Sequence, residues 1–347
     1  MSTPSGPTLP DPTSIMNTAF GFWGSKVLLT AVELGVFTAL GQRRVSGAVL
    51  GRELGLHPRG IADFFDALLA MKFLARDGDG DDAVYYNTPA TACYLDRTSP
   101  RYLGGMLEMM NARLFKFWHD LPEALRTGEK QNEAKGGAAV DVFGAVYADP
   151  ARLEQFLAAM TGLSRGNFEL LAERFDFSPY RTLCDVGGAA GVLSIEVARK
   201  HRHLQCTSFD LAQVEPIARR GIAEAQLSER VATRSGSFLA DPLPAADVIT
   251  MSMILHDWNL ETKKMLIRKA YAALPEGGAF IAIDAIIDDA RRENTFGLLM
   301  SLNMLIENSD AFDYTGAELR RWCSEAGFRR FDVLPLAGPA SAVIAYK

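Results

Sequence analysis

The stretch Leu183-Cys184-Asp185-Val186-Gly187-Gly188-Ala189-Ala190-Gly191 constrains this chain more than any other. A short apolar run ends in an acidic residue, and glycines follow in a G-G-x-x-G spacing. An apolar, amphipathic run comes next: Val192, Leu193, Ile195, Val197, Ala198. That order predicts strand, tight turn and helix. Glycine lets the backbone turn sharply and lets a ligand come close, because no Cβ stands in the way. The helix then aims its free N–H groups at the occupant of the turn, which suits a phosphate or a carboxylate. Asp185 repels phosphate and suits a cationic or hydroxyl-bearing guest. The glycine spacing by itself also fits an ordinary turn, so its surroundings must decide.

Those surroundings alternate strand and helix. Strands are expected over 183–186, 205–209, 231–234, 246–251 and 279–284, with a closing pair over 331–336 and 341–346. Helices are expected over 191–201, 216–226, 260–274, 295–307 and 316–326. This predicts an α/β domain with a doubly wound, Rossmann-like parallel sheet. Its ligand should lie at the C-terminal strand ends, where Gly187, Asp210 and Met251 fall.

The front of the chain reads differently. Residues 13–41 are apolar and helix-patterned, broken by Gly21, Gly24 and Gly35. Their apolar surface exceeds what one surface helix needs, which points to burial on several sides, by the core or by a second subunit. Helices over 45–54 and 59–71, with strands over 72–76 and 83–87, predict a winged helix. DNA binding is the tempting reading. The second helix argues against it, because Asp63 and Asp66 offset Arg59 and Lys72. The wing tip carries Asp77, Asp79, Asp81 and Asp82, which would repel a phosphate backbone. A helical, Met-rich and aromatic stretch over 100–127, a polar loop over 128–137 and a long helix over 149–175 complete this part. The expected division is a front domain over 13–175 and an α/β domain over 176–347.

Composition narrows the partners. With 36 basic and 42 acidic residues, the formal charge of −6 favours neither nucleic acid nor an anionic membrane surface. No apolar run reaches the ~18 residues of a membrane span. The four cysteines are scattered without a CxxC pair, and no His/Asp/Glu cluster suggests a metal. Residues 1–12 read as a Ser/Pro/Thr-rich leader rather than a signal peptide. A soluble, cytoplasmic protein is expected.

Asp210 closes the second strand about twenty residues beyond the glycine turn, where a carboxylate can accept both hydroxyls of a ribose. An adenosine cofactor follows, and NAD(H) and S-adenosylmethionine both qualify. The acid before the glycines favours the ammonium and sulfonium of S-adenosylmethionine. Met251-Ser252-Met253-Ile254-Leu255-His256-Asp257-Trp258 follows the fourth strand and brings His256 to the ligand edge. A histidine there is either structural or a general base. Asp284, ending the fifth strand, and Asp313, before the last helix, can each orient its ring. The Asp257 side chain is expected to point elsewhere and cap the next helix.

The glycine turn, Phe209-Asp210-Leu211, Leu255-His256-Asp257-Trp258 and Pro275-Glu276-Gly277-Gly278 together resemble the small-molecule O-methyltransferases of the caffeate and acetylserotonin type. Bacterial antibiotic-pathway methyltransferases belong to the same family. The resemblance spans about residues 13–347. It implies a class I methyltransferase domain behind a mainly α, winged-helix dimerisation domain, hence a homodimer. It implies methyl transfer from S-adenosyl-L-methionine to a hydroxyl of an aromatic or polycyclic small molecule, with His256 as base and Asp284 and Asp313 behind it. It places Asp185, Gly187, Gly191, Asp210, Leu211, Ser237, Phe238, Ser252, Trp258 and Ser164 around the cofactor. It places Met110, Phe143, Met160, Met304 and Asn308 around the substrate.

The chain departs from that family in places. Asp284 and Asp313 stand where two glutamates bracket the histidine, one methylene shorter, which points to a looser or water-bridged contact. Ser237 and Ser252 stand where the family has an acid and a base, so adenine would rest more on Phe238, Trp258 and Asp210. These exchanges leave C-methylation open beside O-methylation. An NAD-dependent oxidoreductase and a ligand-responsive winged-helix regulator remain the other classes.

Overall fold

A computed structural model describes residues 9–135, 147 and 149–347. The chain divides into two compact units between Ala112 and Arg113.

The first unit opens with α1 (Thr13–Glu33) and α2 (Val36–Leu40). The sequence reading breaks this stretch at three glycines; the structure breaks it only at Gly35, whose φ of 72° suits glycine. Gly21 and Gly24 lie inside α1, and a Cβ on Gly24 would sit 3.3 Å from Met71 Sδ. That glycine serves close packing rather than a turn. Next come β1 (Val45–Ser46), α3 (Gly47–Glu53), α4 (Pro58–Ala70), β2 (Leu74–Asp77), β3 (Val84–Asn87), α5 (Pro89–Tyr94) and α6 (Gly104–Met109). Ser46 and His57 cap α3 and α4 through their side chains. The strands form an antiparallel sheet in the order β1-β3-β2, so the hairpin gains a third strand that the sequence reading had assigned to a helix. Val32, Phe37, Leu40, Leu50, Phe65 and Leu68 fill the core. Asp66 accepts hydrogen bonds from Arg76 and Tyr85, which ties α4 to the hairpin.

The second unit carries α7 (Phe115–Phe117), α8 (Leu121–Thr127) and α9 (Pro150–Arg174) ahead of β4 (Thr182–Val186). Compactness thus divides the chain between Ala112 and Arg113, whereas the sequence reading divides it near 175, where the long helix leads into the first strand. Phe168 and Leu171 of α9 join the core of the sheet, and Arg165 pairs with Glu196 at 2.8 Å. Then follow α10 (Val192–Lys200), β5 (Gln205–Asp210), α11 (Glu215–Glu224), β6 (Val231–Ser235) and β7 (Val248–Ser252). The remaining elements are α12 (Leu260–Ala273), β8 (Ala279–Asp284), α13 (Thr295–Glu307), α14 (Gly316–Ala326), β9 (Arg330–Pro335) and β10 (Ser341–Tyr346).

The sheet order is β6-β5-β4-β7-β8-β10-β9. The first five strands run parallel, and β10 and β9 close the edge antiparallel. This is the expected doubly wound sheet. The central strands β4, β7 and β8 are buried on both faces because both are covered. Along β8, Ala279, Ile281 and Ile283 enter one core while Phe280 and Ala282 enter the other. The parallel strands end together at Val186, Asp210, Ser235, Ser252 and Asp284. Among the described residues no helix is long and apolar enough to cross a membrane, and no group of His, Cys, Asp and Glu could hold a metal ion.

Candidate active site

The glycine turn connects β4 to α10. Gly187, Ala189 and Gly191 all take left-handed conformations, with φ of 70°, 49° and 76°. A Cβ on Gly187 would lie 2.3 Å from Ile254 Cδ1, and one on Gly188 would lie 2.3 Å from Ser208 Oγ. Side chains of β5 and of the segment after β7 therefore crowd these two positions, whatever the turn holds. The helix α10 starts at Val192 behind Gly191 with no side-chain cap, so its N-terminus is open to an acceptor from outside.

The turn also fixes Asp210. Ala189 N–H donates to one carboxylate oxygen at 2.8 Å and Leu211 N–H to the other at 2.7 Å. Burial raises the Asp210 pKa, and these two donors oppose the rise. Asp185 is buried one strand away and accepts from Thr250 Oγ1 at 2.7 Å. Burial pushes its pKa up to about 7, Thr250 works against that, and nearby Asp210 adds to it. A buried carboxylate in that state gains from any cation brought beside it.

Around the next strand ends, Phe238 and Trp258 meet edge to face, with centroids 6.0 Å apart. Trp258 Nε1 is buried without a hydrogen-bond partner. Ser237 N–H donates to Asp241 at 2.8 Å and Lys269 Nζ donates to the Phe238 carbonyl at 2.6 Å, which anchors that loop. Ser252 ends β7, and Met253 after it is left-handed with φ of 52°. Ser164, on α9, places its hydroxyl 3.7 Å from Met253 Sδ. The helix α9 thus reaches the same edge of the sheet.

His256 sits in a single 3₁₀ turn, Leu255–Asp257, directly after β7, and is 4 % exposed. Its Nδ1 lies 3.5 Å from Asp313 Oδ1. That is an ion-pair distance, too long for a hydrogen bond, and neither Asp313 oxygen has a hydrogen-bond partner. Its Nε2 lies 3.4 Å from Asp257 Oδ1. Here the sequence reading needs correction: Asp257 does not turn away, because the tight turn brings both side chains to one side. The cap of α12 is Asn259 instead. Asp284 acts on the ring through its charge, while Tyr314 Oη donates to its Oδ2. Burial by itself would lower the His256 pKa; Asp257, Asp313 and Asp284 outweigh it and raise the pKa to about 10. Burial likewise pushes Asp284 up to about 7, against the pull of His256.

Of the residues expected around a substrate, Met304 on α13 is buried and Met160 on α9 is half-buried. Asn308, just past α13, is exposed and donates to the Asp257 carbonyl at 2.9 Å. Met110 belongs to the first unit, and Phe143 lies outside the described residues. Sequence reasoning passed over Tyr314 and Thr250. Tyr314 adjoins Asp313 in sequence; Thr250 holds the position opposite Asp185 in the β4–β7 register.

This constellation, a glycine turn facing a ribose-type aspartate with a histidine one strand end away, can be set against known proteins. Residues 118–329 match the O-methyltransferase domain family, and residues 16–97 match the O-methyltransferase dimerisation domain. The chain belongs to the O-methyltransferase family. It is 40 % identical to the tetracenomycin polyketide synthesis 8-O-methyl transferase TcmO of Streptomyces glaucescens, over 97 % of each chain. It is 33 % identical to the N,N-dimethyltransferase OxyT of Streptomyces rimosus, over 91 % of this chain and 90 % of that one. Among solved structures, human N-acetylserotonin methyltransferase in complex with SAM superposes with a TM-score of 0.89 at 29 % identity, over 99 % of each chain. Family membership selects methyl transfer from the enzyme classes that the residues had left open. It also gives the first unit the dimerisation fold.

Proposed function

We propose that this chain transfers a methyl group from S-adenosylmethionine to a hydroxyl of an aromatic or polycyclic small molecule in secondary metabolism, with His256 as general base. The observation that carries the reading is the cage of Asp257, Asp284 and Asp313 around a histidine at the strand edge that also bears the glycine turn. Relatives named for polyketide and N-acetylserotonin methylation support an aromatic acceptor.

The residues fit the donor. The uncapped start of α10 suits its carboxylate, and the buried, singly bonded Asp185 suits a cationic group. Asp210, held by two backbone donors, keeps lone pairs for ribose hydroxyls. Trp258 Nε1 is a buried polar atom still lacking a partner. When bound, S-adenosylmethionine supplies a methyl group already activated as a sulfonium. The chain's part is to position the acceptor and take its proton.

At rest His256 holds that proton too tightly to be a base at pH 7, because the cage stabilises the imidazolium. A phenol, with a pKa of about 10, is well matched to such an imidazole, so proton exchange between them is close to balanced. The base form becomes abundant as pH rises. Incubating the enzyme with S-adenosylmethionine and a panel of polycyclic phenols, with wild type and His256→Ala side by side, tests this. Methyl ether formed by wild type and lost in the variant is the expected result. Equal turnover in both removes His256 from the chemistry.

A nitrogen acceptor is the second reading, favoured by the likeness to OxyT. Product mass fragments distinguish an ether from a methylated amine or ring carbon. Dimerisation through the first unit fits the matched domain and the exposed Ile15, Met16, Phe20, Phe22 and Trp23 of α1. Four free cysteines, three of them buried, fit a reducing cytoplasm.

A further inference from the structure

Among the described residues, five other than glycine have positive φ: Lys72, Ala189, Gln226, Met253 and Arg291. In that conformation the Cβ crowds a neighbouring carbonyl, so each of them needs a reason. Lys72 and Gln226 stand one place beyond the C-caps of α4 and α11, where a left-handed residue closes a helix. Arg291 lies in an exposed turn and donates its N–H to the Asp288 carbonyl at 2.8 Å. Ala189 and Met253 end no helix. Both stand where the parallel strands finish, Ala189 in the glycine turn and Met253 one residue past β7, with φ of 52°.

Met253 is the joint between several parts of the site. Its N–H donates to the Ile283 carbonyl of β8 at 2.9 Å, so the sheet holds it from one side. The next residue, Ile254, has its Cδ1 2.3 Å from where a Gly187 Cβ would lie. The Ile254 carbonyl accepts the Asp257 N–H at 3.3 Å and so closes the turn that carries His256. The Met253 side chain meets α9, where the Ser164 hydroxyl donates to Sδ at 3.7 Å. Glycine would take this backbone without strain. Methionine bears the strain and brings a side chain that α9 holds. Such strain persists only where the surroundings over-determine the conformation, and it gathers at functional sites.

We propose that Met253 is a positioning residue: its strained turn out of β7 sets Ile254 against Gly187 and fixes the histidine turn relative to the donor's seat, and the tie to Ser164 keeps that turn from relaxing. The proposal rests on reading the glycine turn as that seat and His256 as the base.

Met253→Gly and Met253→Ala both remove the side chain and differ in how readily they take a positive φ. At an unstrained position glycine is the less stable of such a pair. Here Met253→Gly should unfold at a higher urea concentration than Met253→Ala. Hydrogen exchange of the full chain should run the other way. The amides of Asp257 and Trp258, both bonded within the turn, should exchange about tenfold faster in Met253→Gly than in wild type, and faster than in Met253→Ala. A merely structural methionine would make exchange follow global stability. With the polycyclic phenol that wild type methylates, kcat should fall about tenfold in Met253→Gly and less in Met253→Ala, while affinity for S-adenosylhomocysteine stays within about twofold. A Met253→Ala variant as stable as Met253→Gly overturns the proposal, as does exchange that ranks with stability. If neither variant folds, Ser164→Ala leaves residue 253 in place and should speed exchange of the same two amides about threefold; unchanged exchange there also overturns it. Unfolding and exchange do not depend on turnover. Activity retained in His256→Ala therefore removes the base reading alone, whereas the unfolding and exchange results decide the role of Met253 alone.

Discussion

His256 is held by charge more than by hydrogen bonds. The nearest carboxylate oxygens stand at 3.4 and 3.5 Å, beyond normal hydrogen-bond length, yet they raise its pKa to about 10. A group raised in this way is protonated throughout the neutral range. Turnover should therefore climb with pH well past 7 and level off only near the shifted pKa. A pH–rate profile flat from pH 7 upward would show that the free imidazole is not the limiting form. His256→Ala should cost on the order of 10²–10⁴ in kcat, the usual worth of a positioned base, while donor affinity measured by calorimetry stays put. Asp185 gives the opposite kind of signal. Its pKa sits at about 7, so its carboxylate fraction grows from pH 6 to 8. Donor affinity should strengthen over that interval and lose this dependence in Asp185→Asn.

At the scale of elements, two glycines make contrasting tests. Gly187 and Gly277 both have positive φ, of 70° and 77°, but only Gly187 has a neighbour where a Cβ would go. Gly277→Ala should cost about 1 kcal/mol, the strain alone. Gly187→Ala adds a collision with Ile254 and should lower stability by clearly more, on the order of 2–3 kcal/mol in thermal or urea unfolding. The strands of the second unit were legible because runs such as Ala279–Asp284 are apolar on both faces, which only a covered parallel strand needs. The continuity of α1 was not legible, since the reason for Gly24 is Met71, far along the chain. The contact of Asp257 with His256 escaped because neighbouring side chains part in a strand but can converge in a tight turn. Lys263 and Lys264 look alike in sequence; only the docking of α12 tells the fully buried one from the half-buried one that reaches Glu325. Pattern reports which face is covered, and contact between distant turns lies outside it.

For the whole molecule, α1 exposes a run of large apolar residues: Ile15, Met16, Phe20, Phe22 and Trp23. Trp23 is 57 % exposed and packs against Phe20 and Phe22. Exposed aromatics in such a cluster seek a covering surface. Trp23→Asp should shift sedimentation from a dimer to a monomer, and the melting temperature of the native protein should rise with concentration. A monomer at all concentrations in the native protein would count against the dimer. The ribose-type aspartate, by contrast, is gripped by two main-chain N–H groups, those of Ala189 and Leu211. Main-chain donors survive almost every substitution, so random mutation can hardly loosen that grip. The carboxylates around the histidine, by contrast, are all side chains, which single substitutions can replace. On the proposed reading, the acceptor can then be retuned while the donor's seat stays the same, and a laboratory seeking new acceptors should leave residues 185–191 alone and build its libraries around α13 and the loop that carries Asp313.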